Sequence, residues 1–299
     1  MSATVLFDKL LQLRLPAFRE GLREQQANAQ YAQLSFEERL ALLVDQECLR
    51  RHNNRIRRAL KIAAFPMLAM LEDLDLSPER GLDRRQVLEL GQCAWIGNHL
   101  NILVLGPTGG GKSFLACSLG TAAVRLGYSV RYFRTSRLLH ALGQARQEAS
   151  YPVLLRSLAR TDLLILDDWM RDELSPANAQ DILEVLDDRY GQASTIVASQ
   201  IPVTDWYAQI ANPTLADAIL DRLVHNAYRL ELTGDSQRKL RAIRSMPNTC
   251  CTIISPVRFP SPCAACSVLL CDFSEIRKAD RFPVRERPFW VILTVGLRK

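Results

Sequence analysis

The residues best suited to chemistry form the glycine-rich stretch GPTGGGKS at positions 106–113. This stretch fits the pattern G-x-x-x-x-G-K-[ST], in which glycines let backbone N–H groups approach phosphate oxygens. The lysine can neutralise the β- and γ-phosphates, and the hydroxyl that follows it can bind Mg²⁺. An apolar run precedes the stretch and a helical pattern follows it, so the phosphates would lie at a helix N-terminus. The residues predicted to surround them are Gly106, Pro107, Thr108, Gly109, Gly110, Gly111, Lys112 and Ser113.

A second candidate for chemistry is the pair of acids within TDLLILDDWM, residues 161–170. A short apolar run that stops at acids is typical of a parallel strand buried on both faces. Ligands of open α/β sheets bind where such strands end. We expect Asp167 to hold Mg²⁺ and Asp168 to orient or deprotonate an attacking water. Together the two motifs predict Mg²⁺-dependent binding of a nucleoside triphosphate, followed by hydrolysis.

Three further segments, taken with these motifs, resemble one family. They are FPMLAMLEDLDL (65–76), DILEVLDDRYGQASTIVASQIPV (181–203) and ADAILDRLVHNAYRLELTGDSQRK (216–239). Over roughly residues 1–245 the chain resembles the IstB/DnaC-like ATPases of the AAA+ superfamily, and most of all the IstB transposition helpers of insertion sequences. The resemblance implies ATP and Mg²⁺ as cofactors. It also implies self-oligomers, double-stranded DNA and a transposase as partners, or a replicative helicase in the helicase-loader branch.

The same resemblance implies roles for three other positions. Ser199, with Gln200 as the second choice, would be the polar sensor near the γ-phosphate. Arg222 would be an arginine finger that reaches the nucleotide of a neighbouring subunit, although an arginine on such a helix can also be an ordinary surface residue. Arg238 would be the second sensor. Because Arg238 begins a basic row, it could equally contact DNA.

A cluster of basic residues, RRHNNRIRRALK, occupies positions 50–61 and contains no acid. At 100° per residue the basic side chains share one face of a helix. Leu49, Ile56, Leu60 and Ala63 fall on the opposite face, which we expect to pack. A basic face can follow DNA phosphates without reading bases, although most charged helix faces are only solvated. The residues predicted to contact DNA are Arg50, Arg51, Arg55, Arg57, Arg58 and Lys61.

Composition argues against a membrane protein, while the net charge says little about DNA. The 299 residues are 48% hydrophobic and 23% charged, with a net charge of +6. No run approaches the ~18 apolar residues of a membrane span. The N-terminus lacks the pattern of a signal peptide, so we expect a cytoplasmic protein. Residues 246–299 hold eight basic and four acidic side chains, so most of the excess positive charge lies there.

The order of the elements indicates an α/β fold, a parallel sheet with helices on both faces. With the resemblance, this implies an AAA+ P-loop NTPase core preceded by a small helical N-terminal domain. We expect residues 1–75 to form the helical DNA-binding or partner domain, in which Ser35 and Glu38 make a capping box. We expect residues 76–245 to form the ATPase domain. Its strands are predicted over 101–106, 128–134, 162–167 and 194–199, and its helices over 83–94, 112–126, 136–149 and 176–190.

Residues 246–299 depart from the family pattern. Five of the eight cysteines lie between Cys250 and Cys271, and no helical or strand period is visible. Cys263 and Cys266 form one C-x-x-C pair. Because the cysteines offer no second pair with that spacing, a zinc site is disfavoured. We expect a poorly ordered tail that arose from a frameshift or an interrupted gene end.

The sequence therefore predicts an ATPase that assembles on target DNA with ATP and recruits or activates a transposase. Two other functions stay open. A replicative helicase loader would carry the same motifs and differ in its partner, which the gene neighbourhood would reveal. A nucleotide-regulated binding module with impaired ATPase would bind ATP without turnover, which rate measurements with and without DNA would reveal.

Overall fold

The computed structural model describes residues 3–234. Within this range no helix is both long enough and apolar enough to cross a lipid bilayer. The strands are β1 Asn101–Leu105, β2 Val130–Arg134, β3 Leu163–Trp169, β4 Ser194–Ser199 and β5 Ala227–Glu231. The α-helices are α1 Ala3–Gln12, α2 Pro16–Ala27, α3 Phe36–Ala63, α4 Arg84–Gly91, α5 Ala94–Gly97, α6 Lys112–Arg125, α7 Thr135–Gln147, α8 Tyr151–Ala159, α9 Pro176–Asp187, α10 Val203–Trp206 and α11 Pro213–Val224. Short 3₁₀ turns occupy Ala29–Gln33, Leu71–Asp73, Pro78–Arg80 and Tyr207–Gln209.

The strands form one parallel sheet in the order β2–β3–β4–β1–β5. Strand β4 separates β1 from β3, and Ser199 at its end pairs with both Leu105 and Trp169. Because the strands run in the same direction, the segments after β1 and β3 leave the sheet at the same edge. We call this the carboxyl edge, and the edge at which the strands begin the amino edge.

Alternate residues of the strands face two separate hydrophobic cores. Ile102 and Ile165 pack with buried residues of α6 on one face. Leu103 and Leu166 pack with buried residues of α7, α8, α9 and α11 on the other face. Burial on both faces explains why these strands are continuous apolar runs rather than alternating patterns. The predicted fold class is therefore confirmed.

Helix α3 runs for 28 residues and connects the N-terminal helices to the sheet domain. The predicted capping box begins it, since Ser35 accepts from the Glu38 N–H and Glu38 accepts from the Ser35 N–H. Ile56 and Leu60 pack against the core and Ala63 is buried, as predicted. The prediction was wrong for Leu49, which is 62% exposed, because the helix has left the core at that turn.

Element boundaries differ from the predictions where the backbone makes local turns. The helix predicted over 136–149 ends at Gln147, because Ala149 adopts a positive φ of 55°, and the unpredicted α8 follows. Asp83 caps α4 through the N–H of Arg85, but this helix ends at Gly91 and not near residue 94. Strand β5 was not predicted, because Tyr228 and Arg229 interrupt its apolar pattern with exposed side chains.

Candidate nucleotide-binding site

The glycine-rich stretch forms a loop between β1 and α6 that only glycine can complete. Gly106 has φ 146° and Gly111 has φ 99°, in the region that side chains avoid. A Cβ at Gly106 would lie 2.5 Å from the carbonyl oxygen of Leu232, so a side chain there would force the backbone apart. Gly111 is the N-cap of α6, and its backbone therefore leads directly into the positive end of the helix. This geometry suits a group of phosphate oxygens.

Lys112 is the first residue of α6, and 93% of its surface is buried. Its Nζ donates to the carbonyl oxygens of Gly106, at 2.8 Å, and Pro107, at 3.0 Å. The ammonium group therefore lies inside the loop, held by the loop's own backbone. A phosphate that enters the loop would offer this cation a charged partner in place of neutral carbonyls.

The loop opens into a cleft lined by polar and apolar side chains. Among the polar residues, Thr108 donates through its hydroxyl to the side-chain oxygen of Gln200 at 2.6 Å. The apolar residues suit a planar base, and they are Met67, Leu74, Leu82 and Leu232. The charged residues of the cleft are Asp73, Asp75, Arg80, Lys112 and Asp168, and Ser113 also lines it.

Asp167, near the end of β3, has both carboxylate oxygens occupied by donors. The hydroxyl of Tyr132 donates to Oδ2 at 2.6 Å, and the N–H of Asp168 donates to Oδ1 at 3.0 Å. Asp167 is buried. Burial and the bond to Asp167 raise the pKa of Tyr132, so its hydroxyl keeps its proton and remains a donor. Each carboxylate oxygen retains a second lone pair for another partner.

Asp168 points away from this buried pair and lines the cleft. It adopts φ 55°, a left-handed conformation that is unusual outside glycine. The register between β3 and β4 shifts between Leu166 and Trp169, and this irregularity includes Asp168. Its Oδ2 lies 3.8 Å from Nε of Arg134, the last residue of β2. The strained turn thus separates the two acids, one inward and one toward the cleft.

The first-choice sensor residue, Ser199, does not reach the cleft. It is fully buried, its hydroxyl donates to the carbonyl of Trp169 at 2.9 Å, and it accepts from the N–H of Ile201. Both of its hydrogen-bonding functions are therefore used to join the ends of β3 and β4. Gln200, the second choice, is exposed and lines the cleft beside Thr108. The sensor role proposed from the sequence fits Gln200 rather than Ser199.

Arg222 lies at the amino edge of the sheet. Its carbonyl accepts from Nδ2 of Asn101, the first residue of β1, at 3.0 Å. Its guanidinium forms an ion pair with Asp187 of α9 and donates to the carbonyl of Ala218. The five residues of β1, about 16 Å of extended chain, separate Asn101 from the glycine loop. Arg222 therefore does not reach the cleft of its own chain.

The basic face of α3 is exposed, but its six residues are not equivalent. Arg51 forms an ion pair with Glu47 at 3.0 Å, and its Nη2 lies 3.4 Å from the carbonyl of Arg14. Glu47 lies one helical turn before the basic run. The run itself contains no acid, but in the folded helix this acid lies beside it. Within residues 3–234 no ion pair involves the other five, Arg50, Arg55, Arg57, Arg58 and Lys61.

Two predictions lie outside the residues that the structure describes. One is Arg238 as the second sensor, and the other is the character of residues 246–299. The sequence analysis missed two residues of β2 at the site, Tyr132 and Arg134. The register of β2 against β3 places Arg134 beside Asp167. No local sequence pattern predicts this contact, because it joins residues 33 positions apart.

The residues present fit a nucleoside triphosphate with a divalent cation. The left-handed glycines, the buried lysine and the start of α6 fit phosphates, and the hydroxyl of Ser113 and the carboxylate of Asp167 are hard oxygen ligands of the type Mg²⁺ prefers. In the described part of the chain, no group of three or more His, Cys, Asp or Glu residues could hold a metal by itself. Mg²⁺ would therefore take further ligands from the phosphates and water.

Comparison with known proteins identifies the family. The family described as IstB-like ATP binding protein matches residues 8–245. "Putative insertion sequence ATP-binding protein y4pL" of Sinorhizobium fredii is 44% identical over 239 residues, which are 80% of this chain and 98% of that protein. "Insertion sequence IS21 putative ATP-binding protein" of Pseudomonas aeruginosa is 34% identical over 234 residues, which are 78% of this chain and 87% of that protein.

Solved structures with a similar fold include two proteins of low sequence identity. AMPPCP-bound DnaA from Aquifex aeolicus has a TM-score of 0.49 and 16% identity, over 60% of this chain and 55% of that chain. DnaI has a TM-score of 0.47 and 19% identity, over 55% of this chain and 91% of that chain.

The family match ends where the tail predicted from composition begins. Because the match extends over residues 8–245, the chain belongs to the IstB-like ATP binding protein family.

Proposed function

We propose that this protein is an ATP-hydrolysing transposition helper. It binds ATP with Mg²⁺, assembles with copies of itself on double-stranded DNA, and recruits or activates a transposase. The observation behind the proposal is that the nucleotide cleft and the predicted arginine finger lie at opposite edges of the sheet. Lys112 and Asp168 line one cleft at the carboxyl edge, whereas Arg222 lies at the amino edge of the same sheet.

The residues of the cleft suggest how hydrolysis would proceed. The loop N–H groups and Lys112 bind the phosphates and neutralise their charge as the bond to the γ-phosphate breaks. Asp168 orients the attacking water and accepts its proton, while Gln200 contacts the γ-phosphate from the end of β4. Ser113 and Asp167 would hold Mg²⁺, which would supply positive charge beside the β- and γ-phosphates.

The position of Arg222 supports assembly. In the proposal Arg222, which does not reach its own nucleotide, acts on the nucleotide of a neighbouring chain. ATP would then stabilise the contact between subunits, and hydrolysis would weaken it. An arginine supplied in this way to a phosphoryl-transfer site contributes roughly 10³–10⁵ to the rate.

DNA binding is proposed for the exposed basic face of α3. Arg55, Arg57 and Arg58 lie on two consecutive turns, and the opposite side of the same turns packs against the core through Ile56 and Leu60. The helix is therefore held in place while its cations face solvent. Contacts of this kind follow the phosphate backbone and carry no base recognition.

The names of the relatives refer to insertion sequences, and this favours a transposase over a replicative helicase as the partner. A helicase loader would share the cleft, the finger and the basic face. A pull-down with the transposase encoded beside this gene, and with the replicative helicase as the comparison, distinguishes the two. Binding to the helicase alone would contradict the proposal.

The nucleotide site is tested with two variants of the full chain. Lys112→Ala should weaken ATP binding by about a hundredfold or more, since it removes the cation from the phosphates. Asp168→Asn should retain ATP binding and slow hydrolysis by about a hundredfold, since it removes the proton acceptor. Binding of a fluorescent ATP analogue and phosphate release measure the two effects separately. Wild-type hydrolysis by the Lys112 variant would contradict the proposed site.

The DNA surface is tested with a triple variant and a control of equal charge. Replacing Arg55, Arg57 and Arg58 with alanine should weaken duplex binding and make the negative slope of log K against log [salt] shallower by about 2.7, since each phosphate contact contributes about 0.9. The control replaces three exposed arginines outside α3, Arg84, Arg85 and Arg229. Equal slopes in the two triple variants would show that the α3 face does not contact DNA.

A further inference from the structure

A buried hydroxyl contacts the acid that is proposed to hold Mg²⁺. Tyr132 and Asp167 lie on neighbouring strands, and the register pairs Tyr132 with Ile165 and Arg134 with Asp167. Side chains two residues apart on a strand share a face, so Tyr132, Ile165 and Asp167 are on the α6 side of the sheet. The Tyr132 hydroxyl reaches along this face to Asp167 Oδ2, at 2.6 Å.

The ring of Tyr132 is held in place by a tightly packed neighbour. Phe65 meets it edge to face, with ring centroids 6.5 Å apart. Phe65 itself occupies a slot against Gly120 of α6, where an added Cβ would lie 2.8 Å from both the Phe65 ring and the Ile165 side chain. The slot therefore has no room for a side chain at position 120. The Tyr132 ring thus lies against a closely packed neighbour, and its hydroxyl donates to Asp167.

Few other groups stabilise the negative charge of Asp167. Within residues 3–234 no ion pair involves this carboxylate. In the described part of the chain its donors are the Tyr132 hydroxyl and the N–H of Asp168, one for each oxygen. A phenylalanine at position 132 would fill the same space and would leave Oδ2 without its donor. The hydroxyl thus supports the acid in a way that packing alone does not.

We propose that Tyr132 is a positioning residue for Asp167, whose hydroxyl holds the carboxylate in the orientation that the divalent cation of the bound nucleotide requires. This inference rests on the proposed role of Asp167 in Mg²⁺ binding. Partners that hydrogen-bond to metal ligands orient them, and their loss typically lowers metal affinity 10–100-fold. Nucleotide binding that does not involve the metal depends on the glycine loop and Lys112 instead.

The test measures binding of a fluorescent, non-hydrolysable ATP analogue by the full chain over a series of Mg²⁺ concentrations, and again in excess chelator. Tyr132→Phe should raise the Mg²⁺ concentration for half-saturation about tenfold, with unchanged binding in chelator. The matched control is Tyr151→Phe, which also removes a hydroxyl that donates to carboxylates, those of Asp181 and Glu184, away from the cleft. This control should behave as wild type.

Asp167→Asn separates failure of this inference from failure of the proposed function. If Asp167→Asn raises the Mg²⁺ requirement and Tyr132→Phe does not, Tyr132 is structural and the inference is overturned while the metal role of Asp167 stands. If neither variant changes it, the metal role fails and the inference fails with it. An equal loss of binding with and without Mg²⁺ in Tyr132→Phe would show general damage, and would also overturn it.

Phe65→Leu gives a second variant that leaves the hydroxyl intact. A smaller side chain packs less closely against the Tyr132 ring. The Mg²⁺ concentration for half-saturation should therefore rise, but by less than in Tyr132→Phe. Combined with Tyr132→Phe, it should add nothing, because the hydroxyl through which it acts is absent. Full additivity of the two changes would overturn the route through Tyr132.

Discussion

The two edges of the sheet treat their polar groups in opposite ways. At the carboxyl edge, Lys112, Asp168 and Gln200 lie around an open cleft, and the glycine loop adopts a backbone that side chains could not. At the amino edge, polar side chains are buried and are bonded to protein atoms. One edge thus leaves hydrogen-bonding groups facing a cleft where a ligand can replace their partners, and the other uses its groups to hold strands in place.

Arg189 is an example of a buried polar side chain at the amino edge that is bonded to protein atoms. It is 1% exposed and donates to the carbonyls of Leu158, Thr161 and Ser194. Burial lowers its pKa to about 10, so the guanidinium stays charged at neutral pH. Asn101 similarly donates to the carbonyl of Arg222 and accepts from the N–H of Thr195. The Ser194 hydroxyl is an exception, since it has no partner within residues 3–234.

Arg222 belongs to the amino edge but resembles the groups at the carboxyl edge. Its side chain is 28% exposed and pairs with a surface acid, Asp187, that is itself 46% exposed. An ion pair between partly exposed side chains is weak, and another anion can replace it. Unlike Arg189, Arg222 is therefore accessible to an anion of another molecule, as the proposed assembly requires.

The largest effect is expected from removing the side chain of Arg222. Arg222→Ala should lower DNA-stimulated hydrolysis about a thousandfold, because the proposed arginine finger acts on the cleft of the neighbouring subunit. ATP binding by the separate chain should be unchanged. Arg229→Ala, which removes an exposed arginine from β5, is the control and should keep wild-type hydrolysis.

Mixing the Arg222→Ala and Lys112→Ala chains tests whether the finger acts between chains. In a mixed oligomer, an intact cleft of the first can receive an intact finger from the second. Hydrolysis should therefore rise above that of either variant alone. Mixed oligomers that form, as shown by differently labelled chains, yet stay inactive would show that Arg222 does not act on the nucleotide of a neighbouring chain, and would remove the proposed contrast between the edges.

The sequence was sufficient for the parts of the site that are local. The glycines, Lys112 and Ser113 act through one continuous turn, so their spacing alone predicts the loop that the structure shows. The two acids of β3 could be found because they interrupt the continuous apolar run, Leu163–Leu166, that is typical of a strand buried on both faces. The domain boundary near residue 75 remains a prediction, and helix α3 packs on α6 and β2 across it.

The sequence was insufficient wherever side-chain direction depends on another strand. Ser199 and Gln200 are adjacent, and one points into the core while the other points into the cleft. Ser199 is held inward by its hydrogen bond to the carbonyl of Trp169, where the register between β3 and β4 is shifted. No local pattern reveals such a shift. Tyr132 was missed for the same reason, since its contact with Asp167 depends on how β2 aligns with β3.

A smaller effect, on stability rather than activity, is expected at the amino edge. Arg189→Met should lower the free energy of unfolding by about 3 kcal/mol, because several buried carbonyls lose a charged donor. The affinity of the folded variant for ATP should not change. Thermal unfolding and nucleotide binding at low temperature measure the two quantities, with exposed Arg160→Met as the control. Weakened nucleotide binding at full folding would show that the two edges are energetically coupled.

The smallest effect is expected at a third place, the contact between α2 and α3, where a buried acid is again used for structure. Glu47 Oε2 accepts from the N–H groups of Ala17 and Phe18 at the start of α2, and Oε1 accepts from Arg51. Burial opposes ionisation of Glu47, but the bonds from Arg51, Phe18 and Ala17 outweigh it and lower its pKa. A charge held at a helix N-terminus also interacts favourably with the helix dipole.

Glu47→Gln should therefore lower the free energy of unfolding by about 1 kcal/mol at neutral pH. Because the pKa of Glu47 is lower in the folded chain, its contribution is present above the ordinary value near 4.5 and is lost as the pH falls through the lowered value. The difference in stability between wild type and Glu47→Gln should shrink over that acidic range. Exposed Glu37→Gln is the control at neutral pH, where it should change the free energy of unfolding little. Denaturant unfolding at a series of pH values measures this. A difference that does not depend on pH would mean that Glu47 acts through packing and not through its charge.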